Sequence, residues 1–470
     1  MQAAKEVTAN TNPKKRNKRF RLGSGRIIIF SFLFAVLLGT GLLLLPVSTA
    51  QGQHTDFMTA LFTATTSVCV TGLVVVDTYV HWSLFGKIVI LFLIQIGGLG
   101  IITVTSMLML LAHKKFSMSD RVLLYDAFNL DSRSGILSFL VGVIKGTFAI
   151  EGIGACFYSI VFIPQFGLLK GIWISVFTSI SAFCNAGIDI IGPDSLIGYQ
   201  SNSLVMIVTM FLIIMGGLGY VVWFDVKRSV ISGIHHKFTP MQIMRRMGEH
   251  TKLVLSLTMV LLISGAVVVF LAEYDNPDTI GTMRMGDKVL NSIFQSVTWR
   301  TAGFSAVPQE KLKSVSCVIG YFLMFIGGSP VGTAGGVKTV TMFIVILNAV
   351  SYIRNRNETV IFKRKISEDL MRKAAAIVAV SFFATFVFSV ILLATNDVSL
   401  EDGLYEVVSA LATVGLTRGL TSTLNTAGRV LIVIGMYLGR IGPISMALFF
   451  TRVKPDKNSV SFAEGRFYVG

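Results

Sequence analysis

LFTATTSVCVTGL (residues 61–73), VFTSISAFCNAGI (176–188), SIFQSVTWRTAGF (292–304) and LYEVVSALATVGL (404–416) are four stretches of one chain that line up on their last glycine. Those glycines, Gly72, Gly187, Gly303 and Gly415, follow one another at spacings of 115, 116 and 112 positions. A signal that returns at a fixed period marks a repeat architecture. This period is far longer than a solenoid unit, so each repeat is a sizeable structure. Four glycine-ended turns can be grouped around one axis, and four such turns are what a cation filter requires.

Composition sets the solvent. Of the 470 residues 53% are hydrophobic and only 14% charged, against about 25% charged in soluble domains, which reads as an integral membrane protein. The net charge of +16 is concentrated between apolar spans, at 14–26, 113–133, 227–252, 354–373 and 452–457. That placement is the positive-inside signal and argues against nucleic-acid binding. The first apolar run, 27–46, follows a basic stretch and precedes Ser48-Thr49-Ala50. It is too long for a signal peptide's apolar core and long enough to span, so a retained first helix is expected. Cys69, Cys156, Cys184 and Cys317 form no C-x-x-C, and the six histidines form no H-x-x-x-H. Neither zinc chemistry nor a resident metal has support.

Each period reads as a long apolar span, a shorter half-apolar segment ending at the glycine, and a second apolar span. The spanning candidates are 27–46 and 87–112, 142–163 and 201–223, 252–272 and 315–350, and 374–394 and 428–450. Each reaches the roughly 20 residues that the hydrocarbon core requires, whereas the 11 or 12 residues before each turn suit a re-entrant half-helix. Within-period linkers are poor in cations: 47–60 has none, and 189–203 holds Asp189 and Asp194 but no Lys or Arg. The expectation is an all-α membrane protein of eight transmembrane helices and four half-helices, in four parallel helix–re-entrant loop–helix repeats around a central pore. The repeats are 27–112, 142–223, 252–350 and 374–450. The tails 1–26 and 451–470 and the linkers 113–141, 224–251 and 351–373 are expected in the cytoplasm.

Non-helical backbone at membrane depth is tolerated where it is buried or lines a watery cavity. Glycine there permits positive φ and close approach, and the half-helix before it turns its dipole-negative end toward the turn, which favours a cation. Backbone carbonyls can then replace the hydration shell of a monovalent cation. The candidate ligands are Val70, Thr71 and Gly72, Asn185, Ala186 and Gly187, Thr301, Ala302 and Gly303, and Thr413, Val414 and Gly415. For a single turn, helix packing explains the glycine equally well; the register of all four favours the filter.

VTGL (70–73), NAGI (185–188), TWRTAGF (298–304) and TVGL (413–416) resemble the pore loops of the Trk/Ktr/HKT superfamily of potassium transporters, over nearly the whole chain. Glycine in all four loops and the lack of a large extra domain make the chain most similar to the bacterial Ktr membrane subunits, the KtrB type. Sodium-favouring plant relatives often carry serine where this chain has Gly72. The resemblance implies K⁺ as the transported ion, Na⁺ as activator or co-ion, and a homodimer with one pore per protomer. It also implies a cytosolic RCK/KTN ring of the KtrA type, through which alone ATP or ADP acts. The polar segment 113–135 and the tail 452–470 are candidate contacts for that ring, although positive-inside topology alone explains their charge.

Each second span carries its own interruption: Gly97-Gly98-Leu99-Gly100, Gly216-Gly217-Leu218-Gly219, Gly327-Gly328-Ser329-Pro330 and Gly439-Arg440-Ile441-Gly442-Pro443. For the first two, close helix crossing is the simpler expectation. The third, FIGGSPVGTAGGVKT (325–339), holds five glycines and a proline, at about 1 and 3 kcal/mol of helix cost apiece. A flexible loop obstructing the pore is expected there, built on Gly327, Gly328, Ser329, Gly332, Thr333, Gly335 and Gly336, and the resemblance implies the same gating loop.

Arg440 sits deep in the last span, where a charge costs about 2.5–3.5 kcal/mol unless compensated; the resemblance assigns it to the gate. Lys338 ends the loop, with a functional role and interface snorkelling equally open. Glu151 reads as a neutral or paired structural carboxyl before an ion ligand. Arg300 and Glu406, near the third and fourth turns, can brace adjacent loops as an ion pair or reach water at the outer interface. The competing function is a secondary carrier for a small organic solute, but carriers commonly repeat as two halves. An intramembrane enzyme lacks convergent catalytic groups.

Overall fold

The computed structural model describes residues 24–100 except 51 and 53, residue 103, residues 136–356 and residues 358–442. The segment 113–135, the tail 452–470 and the far ends of the spans predicted at 87–112 and 428–450 lie outside the described residues. Helices of twelve residues or more are numbered in chain order. The first period holds α1 (Ser24–Leu43), α2 (Phe57–Cys69) and α3 (Leu84–Leu99). The second holds α4 (Ile136–Phe166), α5 (Leu168–Cys184), α6 (Ser203–Gly217) and α7 (Tyr220–His235). The third holds α8 (Glu249–Glu273), α9 (Met285–Thr298), α10 (Ser314–Phe325) and α11 (Thr339–Ile353). The fourth holds α12 (Glu368–Thr395), α13 (Leu400–Leu411) and α14 (Thr426–Ile441).

Local chemistry sets the ends of these helices. α1 stops at Leu43, short of the predicted 46, because Pro46 opens a 3₁₀ turn and disfavours helix in the residue before it. Asp56 caps α2 by accepting from the Met58 amide at 3.0 Å. Ser83, Asn202 and Asn425 cap α3, α6 and α14 by accepting from Gly86, Val205 and Gly428. At α10 the buried Glu273 does this work from α8, accepting from the Lys313 amide at 2.9 Å and the Ser316 hydroxyl at 2.5 Å.

Among the described residues, four helices are long and apolar enough to cross a membrane: Arg26–Leu43, Ser138–Phe166, Glu249–Glu273 and Glu368–Thr395. They are the first helices of the four periods. Among the described residues the second helices are shorter, α6 and α7 together form one bent span, and the spans predicted at 87–112 and 428–450 run on beyond the described residues. Positive-φ glycines lie at three of their breaks: Gly100 at φ 82° caps α3, Gly442 at φ 90° caps α14, and Gly219 at φ 90° opens α7 just after Leu218, the cap of α6. The span predicted at 201–223 breaks there, and α7 departs from α6 at 101° into the stretch read as a linker. The all-α expectation also gains a hairpin. Val360–Ile361 pairs antiparallel with Arg364–Lys365 through a two-residue turn, Phe362-Lys363, both at positive φ.

The half-helices pack against the first helices through small residues, since apolar burial alone does not hold helices together in lipid. A Cβ on Gly154 of α4 would lie 2.5 Å from the Ser179 hydroxyl of α5, and one on Gly39 of α1 would lie 3.3 Å from Ala64 of α2. Gly265 of α8 stands in the same way against Ser296 of α9. The half-helices are thereby drawn inward, with Phe62, Phe177, Phe294 and Tyr405 fully buried.

Candidate functional site

The four half-helices end alike. Val70, Asn185, Thr301 and Thr413, each two residues before its glycine, take the left-handed conformation at φ 55°, 60°, 63° and 51°. Gly72, Gly187, Gly303 and Gly415 follow at φ 102°, 64°, 82° and 97°. A left-handed non-glycine residue costs about 1–3 kcal/mol and persists where its surroundings hold it. Three turns are closed by the same bond, from the amides of Thr71, Ala186 and Val414 to the carbonyls of Thr66, Ser181 and Ser409. The hydroxyls of Thr66 and Ser409 also accept from the Gly72 and Gly415 amides at 2.9 and 3.0 Å. In the third turn the Thr298 hydroxyl instead donates to the Phe304 carbonyl.

The four turns meet in cyclic order. A Cβ on Gly72 would strike the Ala186 carbonyl oxygen. One on Gly187 would lie 2.6 Å from the Ala302 oxygen, and one on Gly303 2.7 Å from the Val414 oxygen. A Cβ on Gly415 would strike the Thr71 oxygen, which closes the ring. Each glycine is therefore required by the carbonyl of the next turn. All eight residues at 70–71, 185–186, 301–302 and 413–414 are buried. Among the described residues, none of their eight carbonyls accepts a hydrogen bond. Buried carbonyls are almost always paired, so eight free ones on one ring form a cradle for a positive charge, at the negative ends of four helices.

Directly against this ring lies the loop between α10 and α11, residues 326–338. Its two stems are joined as a neck: the Gly327 amide donates to Val337, the Val337 amide to Phe325 and the Thr339 amide to Gly328. Its tip reaches three turns. The Thr333 hydroxyl donates to the Phe183 carbonyl at 3.2 Å and Asn185 Oδ1 at 3.0 Å, and the Gly335 amide to the Thr301 hydroxyl at 3.3 Å. A Cβ on Gly335 would lie 2.6 Å from the Ala412 carbonyl. The Ser329 and Thr333 amides dock on Gly217 and Gly216, and Tyr220 of α7 donates to Val331. The break at Gly219 thus serves as the loop's berth, a role beyond the close helix crossing expected from sequence. The crossing is also present: a Cβ on Gly97, Gly216 or Gly439 would strike a carbonyl in the last turn of a half-helix, that of Val68, Phe183 or Leu411.

The intramembrane charges each have a place. The Arg440 guanidinium donates to the Thr333 carbonyl at 2.5 Å and to the Gly97 carbonyl, bridging the loop to the first period. Lys338 turns its ammonium back onto the Ala334 carbonyl at 2.5 Å. Glu151 accepts from Gln95 at 3.1 and 3.3 Å, joining α4 to α3. Arg300 and Glu406 are both buried and do not pair with each other. Arg300 donates to the Gly327 carbonyl and the Thr339 hydroxyl; Glu406 accepts from Thr417 at 2.7 Å and from Thr421. Neither is left to water, because half-helix packing encloses both.

Sequence reasoning missed the outer brace of the third and fourth turns. Arg418 donates to Asp402 at 2.6 Å, to the Gln309 carbonyl at 3.1 Å and to Cys317 Sγ at 2.9 Å. The Trp299 ring nitrogen donates to the Tyr405 hydroxyl at 3.1 Å, and Tyr405 to Gln309 Oε1 at 2.9 Å. Burial pushes the Asp402 carboxyl upward, but hydrogen bonds from Ser399 and Arg418 and the Arg418 charge outweigh it, leaving the group below its ordinary range. At the mouth of the second turn, burial pushes Asp189 up to about 6, helped by the Asp77 charge and opposed by a hydrogen bond from Ser195. The hydroxyls six residues before two of the glycines, Thr66 and Ser409, were a usable signal for turn bracing; Ser181 holds the same position, but its buried hydroxyl has no partner among the described residues.

The family described as TrkH, cation transport protein, matches residues 5–462. The chain is 36% identical over 452 residues to the potassium/sodium uptake protein NtpJ of Enterococcus hirae, covering 95% of this chain and 97% of NtpJ. It is 35% identical over 453 residues to the Ktr system potassium uptake protein B of Bacillus subtilis, covering 96% of this chain and 98% of that protein. Among solved structures, the potassium transporter TrkH of Vibrio parahaemolyticus shares the fold at a TM-score of 0.74 and 15% identity, over 94% of this chain and 87% of that one.

Proposed function

The chain belongs to the TrkH family of cation transport proteins, and from that premise we propose that it is the ion-translocating membrane subunit of a Ktr-type potassium uptake system. The observation that carries this reading is the closed ring of four glycine turns with eight buried, unbonded carbonyls. A K⁺ ion entering the ring exchanges its hydration shell for carbonyls of residues 70–72, 185–187, 301–303 and 413–415. No covalent chemistry is required of the chain.

Below the ring, the 326–338 loop is the gate. In the described state its tip bonds to the second and third turns and its Gly335 packs against the fourth. Passage of an ion requires the tip to withdraw, breaking the Thr333, Gly335 and Arg440 bonds together. Glycine-rich backbone lowers the barrier to that movement, and Arg440 restrains it. Na⁺ acts as activator or co-ion; the relative NtpJ is itself named for potassium/sodium uptake. The protein works as a homodimer in the plasma membrane with both termini cytoplasmic, regulated by a cytosolic nucleotide-binding ring of the KtrA type. The cation-rich linkers at 227–252 and 354–373 support that orientation.

Flux into proteoliposomes tests the reading, comparing Rb⁺ with Na⁺ for the wild type and for Gly72→Ser, in the presence of a KtrA-type partner. Rb⁺-preferring uptake that loses its preference in the variant is expected. Unchanged preference in Gly72→Ser would reduce the four glycines to packing residues and promote the organic-solute carrier.

A further inference from the structure

Arg300 stands three residues before Gly303, in the same turn as Thr301, yet its guanidinium points away from the ring. One nitrogen donates to the Gly327 carbonyl at 3.1 Å and to the Thr339 hydroxyl at 3.0 Å. Those acceptors are the two stems of the intramembrane loop, Gly327 at its entry and Thr339 at its exit. The Thr339 hydroxyl itself donates to the Gly327 carbonyl at 3.0 Å, so the three groups close a triangle around the neck. The guanidinium, the Thr339 hydroxyl and the Gly327 carbonyl are all buried, where a charge-assisted bond is worth more than in water. Arg300 Nε and the Thr258 hydroxyl are buried without protein partners and line a cavity of about 20 Å³ beside Gly217 and Gly328. That is room for one water molecule. Among the described residues, the hydrogen bonds that the guanidinium makes both go to the loop's neck.

We propose that Arg300 is a positioning residue that clamps the neck of the loop to the third filter turn, so that the filter keeps its selectivity while the gate moves. The inference rests on the gating role proposed above for the loop. With the neck held, only the tip between Gly328 and Gly336 moves, about glycines that tolerate the change; Gly336 already sits at φ 66°. The tip bond from Gly335 to the Thr301 hydroxyl adjoins Arg300 in sequence. Withdrawal of the tip thus pulls on the same turn that Arg300 anchors, and the clamp keeps Thr301 in its left-handed conformation while the tip moves.

Thr339 supplies the test, because its side chain touches the clamp and not the ring. Rb⁺ and Na⁺ uptake would be measured in proteoliposomes for Thr339→Val, Arg300→Gln, the double variant, and a protein lacking residues 329–335. Thr339→Val should lower the Rb⁺ over Na⁺ preference by about fivefold. Arg300→Gln should lower it in the same direction, and Thr339→Val should add less than about twofold in the Arg300→Gln background, the non-additivity expected of one unit. Preference unchanged in Thr339→Val, or effects that multiply, overturns the clamp. Thr339→Val is nearly isosteric, so its result decides the question even if Arg300→Gln does not fold. The loop-deleted protein separates the two claims: faster uptake upholds the gate whatever Thr339→Val does, and uptake no faster than wild type overturns the gate and the clamp with it.

Discussion

The four glycine turns and the four breaks in the second helices are both products of fourfold repetition, and they have diverged by very different amounts. At the turns the backbone is nearly the same four times: left-handed, then a positive-φ glycine, each abutting the next carbonyl. At the breaks, the first, second and fourth periods each carry one positive-φ glycine, while the third opens into a 13-residue loop with a parallel bridge of its own from Ile326 to Val337. Coordination of a spherical ion rewards equivalence on all sides. Obstruction needs one element only, and a second loop of the same size would compete for the same space.

The sharpest way to break this comparison is to place a methyl group at both kinds of glycine. Gly303→Ala should cut Rb⁺ uptake by about a hundredfold, since its Cβ would sit 2.7 Å from the Val414 oxygen in a site where a small misplacement is costly. Gly442→Ala, also at positive φ but with nothing among the described residues within 4 Å of its added Cβ, should cost no more than about tenfold, through backbone strain alone. Equal losses in uptake would mean that conformation, not ring geometry, is what the glycines supply. Next in size is Arg440→Ala, which frees the loop tip without touching the ring. Uptake should rise about tenfold with the Rb⁺ over Na⁺ preference unchanged; a fall in uptake would make Arg440 part of the pathway.

The smallest effect belongs to the outer brace. Arg418→Gln should lower the thermal midpoint of the detergent-solubilised protein by about 2 °C at pH 7. Asp402 is held below its ordinary range in the folded state, so its contribution is complete above the unfolded value of about 3.9 and lost as pH falls through the lower folded one. The difference between wild type and variant should therefore shrink in acid, and a difference that is constant with pH would assign the effect to packing.

Much of this was legible in the sequence because its signals are local. A half-helix too short to span, ended by glycine, is written within thirteen residues, and so is the excess of glycine at 327–336. The bend at Gly219 was hidden because apolar residues run on from Ile213 and Ile214 through Val221 and Val222, and hydropathy does not register a change of direction. Arg300 was singled out but its partners were not, since Gly327 and Thr339 lie beyond an intervening helix in the chain. Arg418 went unnoticed for the same reason: its acceptors near residue 309 belong to another period. Pairings of this kind exist only after the repeats have packed.

The cyclic abutment of the glycines has a consequence for biosynthesis. Gly415 closes on Thr71, so the last turn to leave the ribosome completes a contact with the first. A nascent chain that has inserted three periods holds Ala302 and Gly303 without their Val414 and Gly415 neighbours, and no ring encloses a site. A product truncated before Gly415 would insert helices but complete no ring, and on the filter role proposed above it would carry no assembled conduit.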